Sequence, residues 1–508
     1  MSDHLCDTVF GQIVRLLSGR KFLKFPDEQD LNLWDTFVRK PNPPATRDEE
    51  KDSDNSGTPT GDGIRICQEE EYAVNTLDSA QVLYSEGPHS WRQDILNRHE
   101  RNAEVILVDW YDAKDQERGR SYPWVVSLRT VCIYQSEVKG AHVLIVPITS
   151  GYGLGPMLFS PMSEIPTIGR SRIYFWTLFA FVLLQLPTGY AINMAMLLVF
   201  RFLTGFFGGP VLAIGGATII DMYPPIEVPY WIGIYGASGV LGPVLGPLVG
   251  GFAAQAKGWR WPIWELTWLC AVVLVVLFFF MPETSAANIL YRRAKRLRKQ
   301  TGKATLKSQS EIDAAEVTLK DHLVVLGRAF TLTFSEPVVF FVDLYCALLY
   351  GVLYIWFESF PLVFGEIYGF NIGEQGLTFL GIFVGGVVTV PCYLYWVRNH
   401  LMVRLAHGHF QPEVILPPTF FGAFALPVCL FWYGWTSRES THWMVPLVGS
   451  GCFTISIITL FMPVLSYLGM AYPQYAASVL AGNTLFRASC GVVFPLFVRR
   501  LYHIDFLK

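Results

Sequence analysis

An arginine stands inside an apolar run. In AMLLVFRFLTGFFGG the guanidinium of Arg201 has no acid in its own segment to answer it. At the centre of a membrane-spanning helix such a charge costs about 2.5–3.5 kcal/mol. It must therefore face a cavity, a partner or the interior of a bundle. Arginine keeps its proton, so its chemistry there is to tune a neighbouring acid or to hold an anionic group; the alternative is a structural ion pair. Glu358, in LYIWFESFPLVF, is the acid of a second apolar run. It would titrate inside the membrane or sit near the outer interface. Arg201 and Glu358 are the candidates for handling a proton within the membrane. Around Glu358 stand Tyr350, Tyr354, Trp356 and Phe357, whose rings could stack on a flat amphipathic molecule or cation. Plain packing is the other reading of such aromatic stripes. Tyr350, Tyr354 and Phe357 are the candidate cavity residues. Asp343 and Arg487 are ionisable too, and carry less weight because the run boundaries do not fix their depth.

Two further stretches combine residue type with spacing. In GPVLGPLVGG, within a longer apolar run, Gly242, Gly246 and Gly250 follow Ser238 at four-residue intervals and so line one helix face. Small residues at that spacing let two helix backbones approach closely. Pro243 and Pro247 form a neighbouring line, and Gly251 closes the motif. A bundle tolerates such prolines because neighbouring helices or waters satisfy the carbonyls they free. The expectation is a bent helix packed hard against a neighbour, the alternative being small-residue packing with no part in function. In SPMSEIPTIGRSR, Glu164 ends one helix, Gly169 turns the chain and Arg170 begins the next. Charge pairs and helix-end dipoles would latch that turn, unless it is a plain solvated loop.

The elements that must position these residues follow from composition. Of 508 residues, 52% are hydrophobic and 16% charged, against about 25% charged in soluble domains. Mean hydropathy is +0.34. The apolar residues gather in runs that approach the roughly 20 residues a membrane helix needs. Spans are expected near 143–161, 172–190, 193–217, 230–253 and 262–281, then near 337–362, 375–396, 414–434, 443–466 and 474–497. The fold class is therefore all-α: a polytopic membrane protein, two sets of five spans around a central site. Between them lies a polar stretch, 282–331, containing YRRAKRLRKQTGK. Its lysines and arginines place it in the cytosol by the positive-inside rule. The turns at Gly169–Arg172 and Val397–His409 then fall on the same side, and both are basic.

Several function classes drop out. A formal charge of −3 argues against a nucleic-acid partner, and a basic run between membrane spans reads as a topology determinant touching anionic lipid. Six of the nine cysteines (Cys270, Cys346, Cys392, Cys429, Cys452 and Cys490) lie in apolar runs and read as small buried hydrophobes, so no metal site is expected. GYGLGP lacks the spacing of a nucleotide-binding loop, and there is no Walker sequence. Neither an enzyme nor a cofactor is indicated. The N-terminus carries acids where a signal peptide has a basic region. Residues 1–121 read as a polar cytosolic tail, with a disorder-prone stretch at Lys40–Gly63. Within it Gly11–Phe25 forms either a basic amphipathic helix on a membrane surface or an ordinary tail segment.

These stretches resemble the fungal drug:proton antiporter branch of the major facilitator superfamily, in particular its benomyl, methotrexate and fluconazole resistance type. GYGLGPMLFSPMSEIPTIGR is similar to the segment joining the second and third helices, with Glu164 at the acidic and Arg170 at the basic position. FRFLTGFFGGP resembles the fourth-helix pattern R-x-x-x-G, GPVLGPLVGG the antiporter motif of the fifth helix, and KGWRWPIWE, MPET and RRAKRLRKQTG the sixth-helix entry and central loop. HWMVPLVGSG and YPQYAASVLAGNTLFRA resemble the tenth and eleventh helices. The resemblance covers most of residues 104–502. It implies export of varied amphipathic compounds against inward proton flow. Arg201 would tune a proton site, the Gly242–Gly251 face would control packing between conformations, and Glu164, Gly169 and Arg170 would latch the cytosolic side.

Two departures set further expectations. The family has twelve spans, and ten are recognisable here. Residues 122–142 include WVVSLRTVCIYQSEVKG, too polar for the first helix, and the chain stops at Lys508, after the eleventh. The expected organisation is thus a tail (1–121), a degenerate first-helix region (122–142), an N-terminal half (143–281), a basic cytosolic loop (282–331) and a C-terminal half (332–508). Expected partners are a small-molecule substrate, protons and the bilayer, with a monomeric carrier at the plasma membrane. The alternatives are a non-functional truncated remnant retained in the endoplasmic reticulum, and an uptake carrier for a small metabolite or polyamine.

Overall fold

The computed structural model describes residues 7–18, 25, 106–108, 142–314, 319–407 and 411–505. The expected first-helix region before residue 142 and most of the tail lie outside these. Among the described residues the first bundle is α2 (His142–Glu164), α3 (Arg170–Gly189), α4 (Met194–Gly208), α5 (Pro210–Met222), α6 (Val228–Lys257) and α7 (Trp261–Phe280). It follows α1 (Val9–Leu17) and the strand β1 (Ile106–Val108). The connecting segment holds α8 (Ala286–Thr301), β2 (Leu306–Ser308), α9 (Gln309–Ala314) and α10 (Leu319–Ser335). The second bundle is α11 (Pro337–Phe360), α12 (Ile372–Thr378), α13 (Leu380–Trp396), α14 (Met402–Ala406), α15 (Pro417–Thr436), α16 (Met444–Ala471) and α17 (Ala476–Asp505). β1 and β2 form a parallel pair with Ile106 opposite Leu306, the one sheet among the described residues of this all-α fold.

Each expected span is occupied by helix. Among the described residues, eight stretches are long and apolar enough to cross a membrane, from Met194–Met222 to Pro473–Leu496. The other two positions hold α2 and α3, of 23 and 20 residues, about 35 and 30 Å long at 1.5 Å per residue. Proline and glycine set the breaks. Gly208 and Gly209 end α4, and Pro210 opens α5 at the position where a missing N–H costs nothing. α6 runs unbroken through Pro243 and Pro247. Past Pro361, α11 loosens into a π-helical turn, Pro361–Ile367.

Helices gain little from hydrophobic burial against each other in lipid, so close backbone approach carries the packing. The α2/α4 crossing depends on it. A Cβ on Gly151 would lie 2.7 Å from Phe206 N, and one on Gly209 would lie 3.0 Å from Tyr152 Cα. Gly155 meets the Phe206 carbonyl and Gly205 the Ile148 carbonyl in the same way. GYGLGP is therefore a packing surface, and the glycine of R-x-x-x-G is its counterpart. The two bundles meet along two seams, α2 and α5 with α17, and α6 with α12, α13 and α16. α10 lies against both α2 and α17. Phenylalanines such as Phe424 and Phe431 of α15 point outward, as a lipid-facing surface requires.

The connecting segment holds more structure than its polarity suggests. The basic run forms α8, capped by Ser285 at its start and ended by Gly302 in a left-handed conformation (φ 68°). Arg298 bonds both carboxylate oxygens of Glu311, and that bond holds its guanidinium above the usual arginine range. α10 runs across the expected boundary at 331. α16 continues beyond the expected end of its span near 466, as far as Ala471. Of the six cysteines expected to be buried, Cys270, Cys346 and Cys429 are, Cys452 and Cys490 are half-buried, and Cys392 is exposed. The last follows from its place on an outer face, where lipid replaces protein as the apolar neighbour. α1 begins at Val9 and docks at the end of α7, Phe10 lying 4.9 Å from Phe279, with Leu16 and Leu17 exposed.

A central cavity and its flanking polar groups

Between the two bundles lies a cavity of about 130 Å³. α5 and α6 wall it on one side, and α11, α13, α16 and α17 on the other. Tyr350, Tyr354 and Phe357 line it. The rings of Tyr350 and Tyr354 are 5.1 Å apart. Gly239 and Pro243 of α6 line it as well. A proline removes the donor to the carbonyl four residues earlier, so Pro243 and Pro247 free the carbonyls of Gly239 and Pro243, both at the cavity wall. Tyr235, another lining residue, donates from Oη to the carbonyls of Val211 and Leu212, 3.2 Å each. Arg487 is the charged side chain of the described lining. Its guanidinium lies 5.5 Å from the Tyr350 ring centroid, and its Nη2 donates to Thr484 Oγ1 at 3.2 Å.

The glycine motif of α6 meets the second bundle at its C-terminal end. Gly242, Gly246, Gly250 and Gly251 are all buried. A Cβ on Gly251 would lie 3.0 Å from the Ile372 carbonyl, and one on Gly376 would collide with the Pro247 carbonyl. The motif's end therefore packs backbone to backbone on α12. Gln255 Oε1 completes this contact by accepting from Gly373 N at 2.9 Å.

At the end that carries the basic segment, the sequence-predicted turn lies in a wider network. Gly169 (φ 77°) occupies the left-handed region, and a Cβ there would collide with the Glu283 carboxylate. α3 has no capping side chain of its own. Glu283 supplies one from 113 residues away. Its Oε1 accepts from Arg170 N at 2.9 Å and Ser171 N at 3.4 Å, and its Oε2 accepts from Ser171 Oγ at 2.9 Å. Arg292 pairs with the same carboxylate at 3.1 Å. Burial pulls the Arg292 guanidinium below the usual arginine range, and Glu283 and Asp7 oppose that shift. The Arg170 side chain pairs with Asp221 at 2.9 Å. Glu164 reaches instead to the second bundle, accepting from Ser478 N at 2.9 Å and Ser478 Oγ at 2.8 Å. The residues of the turn thus serve two separate contacts, one within the first bundle and one across the seam.

Arg201 is buried on the face of α4 that also carries Gly205 and Gly208, and its carbonyl accepts from Thr204 Oγ1. Glu358 is half-buried on α11, one turn beyond Tyr354. Neither is among the residues lining the cavity. Sequence reasoning passed over Glu283, Asp221 and Ser478. The only signal for Glu283 is an acid directly after a span, in MPET.

Comparison with known proteins agrees with this architecture. A family model described as Major Facilitator Superfamily matches residues 138–495. The chain is 38% identical to "Transporter mfs1" of Schizosaccharomyces pombe over 469 residues, 87% of this chain and 88% of that protein. It is 32% identical to "Cycloheximide resistance protein" of Candida maltosa, covering 99% of this chain and 92% of the relative. "Fluconazole resistance protein 1" of Saccharomyces cerevisiae is 37% identical, with 78% and 76% covered. Among solved structures, the proton:xylose symporter XylE superposes with a TM-score of 0.53 at 13% identity, covering 75% of this chain and 88% of its own. The human organic anion transporter MFSD10 gives 0.52 at 15%, with 75% and 93% covered. At these identities the structural likeness speaks for the fold.

Proposed function

The chain belongs to the Major Facilitator Superfamily, and on that premise we propose that it exports drugs and other small amphipathic compounds in exchange for protons entering the cell. It is a multi-pass membrane transporter and not an enzyme. The observation that carries the proposal is the central cavity between the bundles, aromatic and apolar with a single guanidinium in its described lining. Such a site takes its ligands by shape and apolar contact, with few polar groups to fix orientation. The names of the similar proteins, which speak of cycloheximide and fluconazole resistance, support drugs as substrates. In this reading Arg201 and Glu358 take part in proton coupling, and Tyr350, Tyr354 and Phe357 contact substrate. The glycine face of α6 governs how closely the two bundles close, and Glu164, Gly169 and Arg170 belong to a cytosolic latch. The carrier acts as a monomer at the plasma membrane.

The test is transport of radiolabelled fluconazole into inside-out plasma-membrane vesicles of a drug-sensitive yeast expressing the full chain. An imposed proton gradient, acid inside, should drive accumulation, and Arg201→Ala should abolish it while protein level stays near normal. Full gradient-driven transport by Arg201→Ala would remove the coupling role. Accumulation driven only by the opposite gradient would make the protein an uptake carrier.

A further inference from the structure

Asp343 belongs to none of the groups above, yet it is fully buried in α11, about 9 Å in from Pro337 at 1.5 Å per residue. Its Oδ1 accepts from Asn483 Nδ2 of α17 at 3.0 Å. One helical turn beyond Asn483 stands Arg487, which interacts electrostatically with Asp343 and whose side chain reaches the cavity. Two acceptors of this cluster, Asp343 Oδ2 and Asn483 Oδ1, are buried without a hydrogen-bond donor. A buried acceptor without a donor is costly. In this pair two acceptors are left unmatched. A proton on Oδ2 changes the count, because a protonated carboxyl becomes a donor.

We propose that Asp343 is a proton-binding carboxylate of this carrier, with Asn483 and Arg487 as positioning residues and Arg487 as its link to the cavity. The step is the transfer of one proton from water to Asp343 Oδ2 and its later return to water, with no other bond made or broken. While Asp343 is ionised, Arg487 is its counter-charge. Protonation cancels that attraction and leaves the guanidinium to the Tyr350 ring and to the cavity contents. Few other charges intervene. Cys346 of α11 is a titratable neighbour of Asp343 and also meets the Asn483 side chain. α16 contains no acidic or basic residue, and Arg328 of α10 stacks over Tyr475. Glu358 lies fifteen residues further along the same helix, ~22 Å away at 1.5 Å per residue, so the two carboxylates are separate sites. The coupling half of this inference rests on the proton-exchange reading above.

Infrared difference spectroscopy on the purified full chain in lipid tests the site without a ligand. As pH falls, the wild type should gain the C=O stretch of a buried protonated carboxyl. Asp343→Asn should lose that band and Asp343→Glu should shift it. Asn483→Ala should move its frequency, and Arg487→Gln should change the pH at which it appears. Should Asp343→Asn fail to fold, the Asp343→Glu and Asn483→Ala spectra decide the matter alone. Superposable titrations for all variants and wild type would overturn the proposal. In the vesicle assay, Asp343→Asn should lose fluconazole accumulation driven by the proton gradient but keep gradient-independent exchange of labelled for unlabelled fluconazole. Retained gradient-driven accumulation would also overturn it. If the wild type itself ignores the gradient, proton exchange as the function fails, and the infrared band still shows whether Asp343 takes up a proton.

Discussion

At the residue scale, one acid holds a whole corner of the molecule together. Glu283 accepts from two backbone N–H groups of α3, from Ser171 Oγ and from Arg292, with its side chain fully enclosed. Removing one partner of a buried ion pair costs about 3–5 kcal/mol, because the other charge stays behind unpaired. Glu283→Ala should therefore cost about that much, and should lower the unfolding temperature of the detergent-purified protein by many degrees. Glu311→Ala removes an acid of the same charge from a partly exposed pair with Arg298. Solvent already screens that pair, and its loss should cost about 1 kcal/mol or less. Thermal unfolding of the two variants side by side checks the ranking; equal effects would mean that the cap on α3 contributes little.

At the element scale, glycines in similar apolar helices do different work. Gly151 of α2 has the Phe202 and Phe206 backbones where its Cβ would stand, whereas Gly239 of α6 has nothing within 4 Å. Gly151→Ala should cost about 1–3 kcal/mol through forced separation of α2 and α4. Gly239→Ala should be neutral or gain up to about 1 kcal/mol from helix propensity. Unfolding midpoints of the two variants settle the contrast. The sequence made the helices legible because a bilayer imposes a length and a polarity on every span. It also made the Glu164–Gly169–Arg170 turn legible, since helix end, left-handed glycine and helix start follow one another locally. Partners were not legible. Ser478 lies 314 residues from Glu164, and Asp343 meets Asn483 across 140 residues. No spacing rule within one helix predicts which distant helix will face it. GYGLGP shows the reverse limit: its glycines were visible but fitted no nucleotide-binding spacing, and their purpose appears only once α4 lies against them.

At the scale of the whole molecule, the two bundles touch at both ends of the cavity, through Glu164–Ser478 at one and Gln255–Gly373 at the other. If the basic end faces the cytosol, a cysteine replacing exposed Ala304 should react with a membrane-impermeant maleimide only after permeabilisation. One replacing exposed Ser440, at the opposite end, should react in intact cells. Labelling compared with the parent chain reads this out, and the reverse pattern would invert the orientation. The small parallel pair of Ile106–Val108 with Leu306–Ser308 has a consequence in time as well as in space. About 200 residues separate the partners, and at 5–20 residues per second the ribosome needs roughly 10–40 s to make them. Throughout that interval, while the whole first bundle is being inserted, β1 waits at the membrane with its hydrogen-bonding edge unmatched. A nascent chain stalled before residue 306 should therefore expose Ile106–Val108 to protease and to chaperones, and a chain stalled well beyond Ser308 should protect it.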